Sequence, residues 1–355
     1  MTNKEEEKMV EELIIKSLIE FCELKSEHCL YSENGNKLIF PNYQDGNGNN
    51  TKVRISEQEA KILFIKLFET DMDVKFHYSV ETPTKSKYSF TGKNHRSGRF
   101  DMCIHDKDGH RECLIEFKAL NKNTDNDEDN VENNDENKKQ KSYADDFVKL
   151  LFDDDKKILT NYFIHILDKP NDNIENVYKK KLKEAEKKRN KVIKDFDTRK
   201  NGIQSNLKIF LCIMEKKKII KYDVFFDENS VSIKEIIVMV NLTQELRLEQ
   251  ALADVKEDLE KVTQLIVKGM LTDEDFKYIG KNMGKTLQKL DMSDAMVTEI
   301  GKYAFSDCIG LTTVYIPRSV LIIGENAFKD CSAFFVINPD NPNYASENGE
   351  LKIKT

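Results

Sequence analysis

Three charged residues, Asp101, Glu116 and Lys118, stand in a stretch that is otherwise rich in strand-forming apolar residues. Residues 100–104 and 112–119 both have the composition of strands, and the sequence Asp-Lys-Asp-Gly between them is typical of a turn. Side chains alternate along a strand, so Glu116 and Lys118 share one face and the residue between them points the other way. We expect a hairpin that lays Asp101 beside this polar pair.

The chemistry that these residue types favour is metal-assisted attack on a phosphate. Mg²⁺ prefers oxygen ligands and keeps bound waters, and a bound metal lowers the pKa of a water and stabilises charge on a phosphate. Asp101 and Glu116 would hold Mg²⁺ (or Mn²⁺), and Lys118 would orient the water or support the developing charge. The alternative is a solvated strand face with weak ion pairs, because Glu-x-Lys alone carries little weight in a chain with 34% charged residues.

The segment before the hairpin is expected to supply a helix and a first strand. Ser56 is placed to begin the helix, and Glu59 stands three residues later, as in a capping box. Glu59 is therefore either a cap partner or a fourth acidic residue of the site. Residues 74–80 have the composition of a strand, which we expect Glu81-Thr82-Pro83-Thr84 to end. Glu81 either faces the site from the strand end or, as we favour, is a turn residue.

The segment after the hairpin is expected to be an acidic loop and then alternating helices and strands. Residues 121–141 are dominated by Asn, Asp and Glu and have too few apolar residues to pack. The lysine-rich helix predicted at 177–200 is either a solvated face or a contact for phosphates. The remaining elements predicted here are a helix at 142–152, a buried strand at 162–167 and a strand pair at 207–214 and 219–226.

These motifs together resemble the PD-(D/E)xK nuclease superfamily. Asp101 is followed, after fourteen residues, by Glu116-Phe117-Lys118, behind a helix that carries acids; Phe100 stands where the motif has proline. The resemblance covers about residues 56–167, with an outer limit near 240. It implies an α/β fold with a restriction-endonuclease-like mixed sheet flanked by helices. It also implies catalytic roles for Asp101, Glu116 and Lys118, an accessory role for Glu59, and hydrolysis of phosphodiester bonds in nucleic acid, with DNA favoured over RNA.

Composition limits the other possibilities. With a net charge of −7, the chain needs a local basic patch to contact nucleic acid. No stretch approaches the roughly 20 apolar residues of a membrane span, and the first residues are no signal peptide, so we expect a cytoplasmic protein with no membrane partner. The seven cysteines lack a C-x-x-C motif and the six histidines are scattered, which argues against zinc and a disulfide framework. His105 and His110 are interpreted as surface residues.

An internal repeat marks the C-terminal part. The sequence IGKYAFSDC at 300–308 recurs as IGENAFKDC at 323–331, offset by 23 residues. That period lies in the range of roughly 20–29 residues for leucine-rich repeats. The pattern IGxxAFxxC resembles the BspA-like leucine-rich repeats over about 287–355, with 287–293 as an irregular strand. The resemblance implies buried positions for Cys308 and Cys331, and a surface for a protein partner or self-association.

The predicted organisation has four parts, and it leaves two functions open. Residues 242–270 show leucine and valine at helical spacing, typical of a connecting helix or a short coiled-coil seam. The first function is a metal-dependent nuclease with a repeat module. The second is a non-catalytic interaction protein that uses the same scaffold. The parts are an N-terminal helix and turn-rich segment at 1–50, a nuclease-like domain at 51–240, a connecting helix at 241–285 and a short leucine-rich repeat solenoid at 286–355.

Overall fold

The computed structural model divides the chain into two compact units, Met1–Ser232 and Ile233–Thr355. The predicted acidic loop at 121–141 and the predicted helix start at Ser56 lie outside the described residues. The structure describes residues 3–23, 29–31, 37–39, 42–44, 50–53, 57–71, 76–90, 96–120, 143–153, 160–167, 174–194, 206–214, 216–225, 230–306 and 308–354.

The first unit is a mixed α/β structure. Its helices are α1 (Asn3–Glu23), α2 (Glu57–Asp71), α3 (Tyr143–Phe152) and α4 (Ile174–Val192). Its short N-terminal strands are β1 (Cys29–Tyr31), β2 (Lys37–Ile39), β3 (Asn42–Gln44) and β4 (Asn50–Val53). Its longer strands are β5 (His77–Tyr88), β6 (Arg96–His105), β7 (Arg111–Leu120), β8 (Thr160–Leu167), β9 (Asn206–Ile213) and β10 (Lys218–Phe225).

The longer strands form a large mixed sheet in the order β10-β9-β8-β7-β6-β5. Strands β7, β8 and β9 run parallel, and their neighbours pair antiparallel. Parallel neighbours need long crossover connections, and α3 and α4 fill that role between β7 and β8 and between β8 and β9. Every residue of β8 is buried, as expected for a central parallel strand. The predicted large mixed sheet with helices is therefore confirmed.

The helices that pack on the sheet form two pairs, α1 with α2 and α3 with α4. α1 packs against α2, β9 and β10, and α2 packs against β7. α3 packs against α4 and against β7, β8 and β9. The N-terminal helix, predicted as part of a separate segment, thus belongs to the first unit and contributes Leu13, Ile14 and Leu18 to its core.

Strand β5 does not end where the sequence predicted. It continues through the Glu-Thr-Pro-Thr segment to Tyr88. Glu81 has a φ of +50°, and the register with β6 shifts between Pro83 and Lys87. The turn-forming residues introduce an irregularity, which β5 tolerates because it is the last strand in the sheet order and pairs, among the described strands, with β6 alone.

The hairpin predicted at the centre of the site is formed by β6 and β7. Their antiparallel register runs from His105–Arg111 to Met102–Ile115. In the turn, the Asp106 carboxylate accepts the backbone N–H groups of Asp108 and His110. Gly109 has a φ of +81°, a conformation that side chains disfavour. The turn chemistry read from the sequence therefore operates as expected.

The second unit contains many short strands. Its helical elements are α5 (Leu248–Ala251), a 3₁₀ helix (Ala253–Lys261) and α6 (Asp273–Met283). Its strands are β11 (Ser230–Leu242), β12 (Val262–Met270), β13 (Lys289–Asp291), β14 (Ala295–Met296), β15 (Glu299–Ile300), β16 (Thr313–Ile316), β17 (Ile322–Ile323), β18 (Phe334–Ile337), β19 (Tyr344–Glu347) and β20 (Glu350–Ile353).

The prediction of one connecting helix at 241–285 is wrong, and with it the coiled-coil alternative. Within that range the chain forms α5, the 3₁₀ helix, strand β12 and α6. The sequence VTQLIVKGM of β12 is rich in β-branched residues, and its burial suits a strand that pairs on both sides. Leucine and valine at helical spacing did not suffice to predict a helix, because a short apolar run fits a helix or a strand equally well.

The second unit is a solenoid of stacked parallel strands. β12, β13, β16 and β18 pair side by side, and Leu265, Leu290, Val314 and Phe335 lie in register across them. The two motif copies stack through β15 and β17. A Cβ atom on Gly324 would lie 2.6 Å from the backbone nitrogen of Lys302, so this repeat glycine permits the close approach of successive coils.

The two repeat cysteines differ in burial. Cys308 is buried, as predicted, whereas Cys331 is partly exposed, which corrects the prediction of two buried positions. The thiol of Cys331 lies 2.9 Å from the Phe305 carbonyl oxygen and 3.1 Å from that of Cys308. Cys331 therefore contacts the backbone of the preceding coil.

Candidate functional site

Asp101 lies where strands β6 and β7 stop pairing. Beyond the Met102–Ile115 pair, Asp101 Oδ2 accepts the backbone N–H of Phe117 at 2.8 Å, in place of a main-chain carbonyl. The side chain thereby substitutes for a ladder hydrogen bond. Asp101 is fixed beside the stretch of β7 that carries Glu116 and Lys118.

Glu116 and Lys118 point to the face of the sheet that α3 covers. The ring of Phe117, between them, packs edge-on against Phe64 of α2, with centroids 5.5 Å apart. The alternation of side chains then directs Glu116 and Lys118 the opposite way, where both are buried. The structure thus brings Asp101, Glu116 and Lys118 together at one end of the hairpin.

Helix α3 contributes two further charged residues, Asp146 and Lys149, which are one helical turn apart. Lys149 Nζ contacts Glu116 Oε1 and lies 3.0 Å from Asp146 Oδ1. Lys118 Nζ lies 3.3 Å from Asp146 Oδ2 and 3.0 Å from Oε1 of Glu57, the first residue of α2. Asp146 therefore stands between two ammonium groups.

Both oxygens of Asp146 are buried without an aligned hydrogen-bond donor among the described residues. The two lysines are near enough for ion pairs but do not meet hydrogen-bond geometry. A buried carboxylate without donors is costly, and such groups in native proteins are often explained by an ion or a catalytic role. Asp146 is thus a candidate ligand that the sequence did not reveal.

The opposite side of Asp101 is held by Lys61 of α2. Lys61 Nζ lies 3.5 Å from Asp101 Oδ1 and 2.9 Å from Glu81 Oε1. Arg99 approaches Glu81 from the solvent side, with 4.0 Å between Nη1 and Oε2. Glu81 therefore belongs to the cluster, the less favoured of its two predicted roles, and joins Asp101 through a shared ammonium group.

The cluster shifts the pKa values of its members in opposite directions. Burial would raise the pKa of Asp101, but the Phe117 N–H, the Glu116 side chain and the charges of Lys61 and Lys118 lower it overall. Burial and the neighbouring Asp146 raise the pKa of Glu116 well above its usual value, although Lys149 acts against them. An additional positive charge beside Glu116 would therefore favour its ionised form.

The lysines are held firmly in their charged form. Burial would lower the pKa of Lys118, but Asp146 and Glu57 raise it overall. Burial would also lower the pKa of Lys149, but the charges of Glu116 and Asp146 outweigh burial and raise it overall. Neither ammonium group is therefore suited to act as a general base, and each can provide a fixed positive charge.

The donor set fits the Mg²⁺ or Mn²⁺ that the resemblance implies. The candidate ligand atoms are carboxylate and main-chain oxygens, which such hard cations prefer. The carboxyl groups of the cluster outnumber its lysine ammonium groups, and Asp146 lacks aligned donors. Asp101 and Glu116 would hold such an ion, with Asp146 adjacent. The carboxyl groups are those of Glu57, Glu81, Asp101, Glu116 and Asp146, and the ammonium groups are those of Lys61, Lys118 and Lys149.

A second acidic group lies in the hairpin turn. Side-chain ligand atoms of Asp106, Asp108 and His110 come within 4.8 Å of one another. The Asp106 carboxylate already accepts two backbone N–H groups and contacts His110 Nδ1 at 3.0 Å. These hydrogen bonds account for the grouping as turn structure, and no role is assigned to it.

His165 borders the site from strand β8, opposite Lys118 in the register. It is fully buried; its Nδ1 lies 2.8 Å from the Tyr178 hydroxyl and its Nε2 lies 3.2 Å from that of Tyr143. Burial, helped by the charge of Lys118, lowers the pKa of His165 to about 3. The imidazole is therefore neutral in the folded protein at physiological pH.

This buried histidine should make stability depend on pH. Because its pKa is lower in the folded state than the unfolded value of about 6.5, the unfolded chain takes up the proton first, and stability is lost as the pH falls from about 6.5 toward about 3. Between pH 7 and pH 5 the first unit should lose about 2 kcal/mol more than the same unit in His165→Gln. Denaturant titration at both pH values measures this, with the exposed His110→Gln as control. Equal pH dependence in wild type and His165→Gln would contradict the prediction.

Sequence reasoning found the hairpin residues and missed those supplied by the helices. Glu59 lies in α2, but its side chain is outside the described residues, so its role as cap partner or site residue stays a prediction. The missed signal was a charged side chain among apolar positions of an amphipathic helix. The residues that carry this signal are Lys61 in α2 and Asp146 and Lys149 in α3.

Comparison with known families assigns residues 271–348, which lie within the second unit. A model for the BspA type leucine rich repeat region matches residues 271–348 in 6 copies. This part of the chain is a BspA-type leucine-rich repeat region. The BspA-type repeats begin earlier than the predicted residue 287 and include α6. The match confirms the predicted leucine-rich repeats. Repeats of this type form a protein-interaction module.

Two other observations bear on the whole chain. No curated protein matches it. Among the described residues, no helix has the length and apolar character that crossing a membrane would require.

Proposed function

We propose that the first unit is a metal-dependent nuclease of the PD-(D/E)xK type and that the BspA-type repeats bind a protein partner. The observation that carries the proposal is the position of the Asp101 carboxylate, which accepts a hydrogen bond from the backbone N–H of Phe117, the residue between Glu116 and Lys118. The order α2, β5, β6, β7, α3, β8 also agrees with the helix, three strands, helix and strand that the resemblance to this superfamily implies.

The proposed roles follow from charge and position. Asp101 and Glu116 hold Mg²⁺ or Mn²⁺, which when bound lowers the pKa of a water and stabilises charge on the phosphate. Lys118 carries a fixed positive charge at the site and supports the negative charge that develops on the phosphate. Asp146 holds Lys118 in place from α3. The reaction is hydrolysis of a phosphodiester bond by water.

A basic stripe on α4 supports nucleic acid as the substrate. Lys180, Lys183, Lys187 and Lys191 are exposed and recur every three or four residues, so they lie on one face of the helix. They span roughly 16 Å along its axis. Glu175 and Glu184 pair with other lysines of α4, Lys179 and Lys181. The stripe therefore provides the local positive patch that a net acidic chain needs.

The helix that bears the basic stripe is tied to the site. α4 packs against α3, and Lys188 Nζ of α4 lies 3.1 Å from Asp145 Oδ1 of α3. Asp145 immediately precedes Asp146. A polyanion that contacts α4 would therefore lie against the same helix layer that supplies Asp146 and Lys149.

Neutralising two stripe lysines should weaken binding in a salt-dependent way. In Lys183→Gln/Lys187→Gln, the slope of log K against log salt should fall by up to about 1.8 for duplex DNA, about 0.9 for each lost phosphate contact. Fluorescence anisotropy at several salt concentrations measures the slope. Lys277→Gln/Lys281→Gln, two exposed lysines with the same spacing on α6, is the matched control. An unchanged slope in the α4 variant would assign the stripe to solvation.

The test of the function is cleavage of a panel of single- and double-stranded DNA and RNA with Mg²⁺, Mn²⁺ or EDTA. We expect cleavage that requires a divalent ion and that DNA supports better than RNA. Loss of activity in Lys118→Met, purified in parallel, would exclude a contaminating nuclease. Activity that survives Lys118→Met would contradict the assignment of the site.

A second candidate function is a non-catalytic interaction protein. The match of residues 271–348 to BspA-type repeats favours it. The ion pair between Glu116 and Lys149 also favours it, because a proposed metal ligand is already paired with a lysine. No cleavage of any substrate, together with no binding of Mn²⁺ by calorimetry, would select this function.

A further inference from the structure

Lys149 is surrounded as a metal ion would be. Its ammonium nitrogen contacts Glu116 Oε1 and lies 3.0 Å from Asp146 Oδ1 and 2.9 Å from the main-chain oxygen of Arg99. Two carboxylates and a carbonyl thus converge on one positive charge. The Phe100 ring, with its centroid 5.6 Å from Nζ, adds a further attractive surface. Lys149 is 1% exposed, so its charge interacts little with solvent.

The oxygens around Lys149 suit a divalent ion better than a single ammonium group. Of the three oxygens that converge on the ammonium group, Glu116 Oε1 and the Arg99 carbonyl oxygen accept hydrogen bonds from it, whereas Asp146 Oδ1, at 3.0 Å, does not. Its single positive charge faces two carboxylates, those of Glu116 and Asp146, so negative charge stays in excess around it. A divalent ion would supply twice the charge to the same oxygens. The four-carbon stem of lysine is flexible, so the exchange requires only that the ammonium group rotate away from the oxygens.

We propose that the Lys149 ammonium group is the resident cation of this oxygen cluster and that the divalent metal ion held by Asp101 and Glu116, with Asp146 adjacent, binds only by displacing it. This inference rests on the metal site of the proposed function and adds its regulation. Metal affinity is then set by competition within the protein. The consequence is a site that stays closed to metal at low concentration and opens as the concentration rises.

Removal of the competing charge should strengthen metal binding. In full-length Lys149→Met, Mn²⁺ should bind at least about tenfold more tightly than in wild type, a change of about 1.4 kcal/mol. The metal-free variant should melt at a lower temperature, because Glu116 loses its ion-pair partner and Asp146 loses one of its two. Added Mn²⁺ should raise its melting temperature more than that of wild type. Calorimetric titration and thermal melting with Mn²⁺ measure both effects.

Two further variants make the result specific. Lys188→Met removes a lysine that pairs with Asp145, outside the oxygen cluster, and should bind Mn²⁺ as wild type does. Glu116→Gln/Lys149→Met removes one charge of each sign and should fold without metal and bind Mn²⁺ more weakly than Lys149→Met. If Lys149→Met fails to fold in metal-free buffer, recovery of its thermal transition by Mn²⁺ supports the proposal.

Two outcomes would overturn the exchange. One is an Mn²⁺ affinity of Lys149→Met within a factor of two of wild type. The other is an unfolded Lys149→Met that millimolar Mn²⁺ does not restore. Either result leaves the nuclease proposal intact if wild type cleaves with metal. Conversely, tighter Mn²⁺ binding by Lys149→Met without cleavage by wild type would support the exchange and contradict the nuclease.

Discussion

Asp101→Asn should lower the rate of metal-dependent cleavage roughly 10²–10³-fold, the loss typical of removing one preorganised electrostatic group. The amide keeps an oxygen that can accept the Phe117 N–H, so β6 and β7 should separate at the same position. What disappears is the negative charge, which attracts Lys61 and would hold the metal. The defect should therefore be in catalysis and metal affinity and not in folding. Single-turnover cleavage across a range of Mg²⁺ concentrations measures it.

The matched control for Asp101→Asn is Asp108→Asn, the same change on an exposed residue of the same hairpin. It should cleave as wild type does, because Asp108 lies in the turn, at the other end of β6 and β7 from the cluster. Circular dichroism and thermal melting should show both variants folded. Wild-type cleavage by folded Asp101→Asn would remove Asp101 from the metal site, and a similar loss in both variants would assign the defect to the hairpin as a whole.

The hairpin was predictable because its information is local. The period of two along β7 places Glu116 and Lys118 on one face, and the Asp-Lys-Asp-Gly turn brings β6 back beside them. Nothing in the sequence specified the hydrogen bond from Phe117 to Asp101. That contact depends on where two strands stop pairing, which is decided by how the whole sheet twists and packs.

The contribution of α3 was not predictable from its pattern. Its apolar residues indicated an amphipathic helix, and charged positions are normally assigned to the solvent side of such a helix. Asp146 and Lys149 are nevertheless buried, because Glu116 and Lys118 supply opposite charges on the facing strand. Thirty-three residues separate Lys149 from Glu116, so the pairing depends on the tertiary fold.

In the repeat region, the motif was predictable and its first coil was not. Repetition of IGxxAFxxC at 300–308 and 323–331 identified two coils directly. Strand β12 occupies an equivalent rung without that motif, and α6 follows it in place of the usual irregular coil. Terminal repeats often differ from the consensus because one side faces no further repeat. Because the first coil lacks the motif, only its leucine and valine spacing remained as a signal, and that spacing predicted a helix.

Phe305→Ala should destabilise the repeat region by about 3–5 kcal/mol, the usual cost of truncating a buried phenylalanine. Phe305 is 1% exposed, and its ring centroid lies 5.2 Å from Phe276 of α6 on one side and 5.2 Å from Phe328 of the next coil on the other. The ring therefore joins the atypical first coil to the motif-bearing coils. In a solenoid each repeat is stabilised only by its neighbours, so the loss should affect the coils on both sides.

Hydrogen exchange measured by mass spectrometry on the full chain can locate this effect. Peptides from β13, β16 and β18 should exchange faster in Phe305→Ala, while peptides from β6 and β7 should keep wild-type rates. Tyr303→Ala, at a 46% exposed position of the same motif, should change stability by less than about 1 kcal/mol. Faster exchange confined to residues next to position 305 would mean that the aromatic stack does not couple the coils. The stability of the BspA-type repeats would then come from the strand ladder alone.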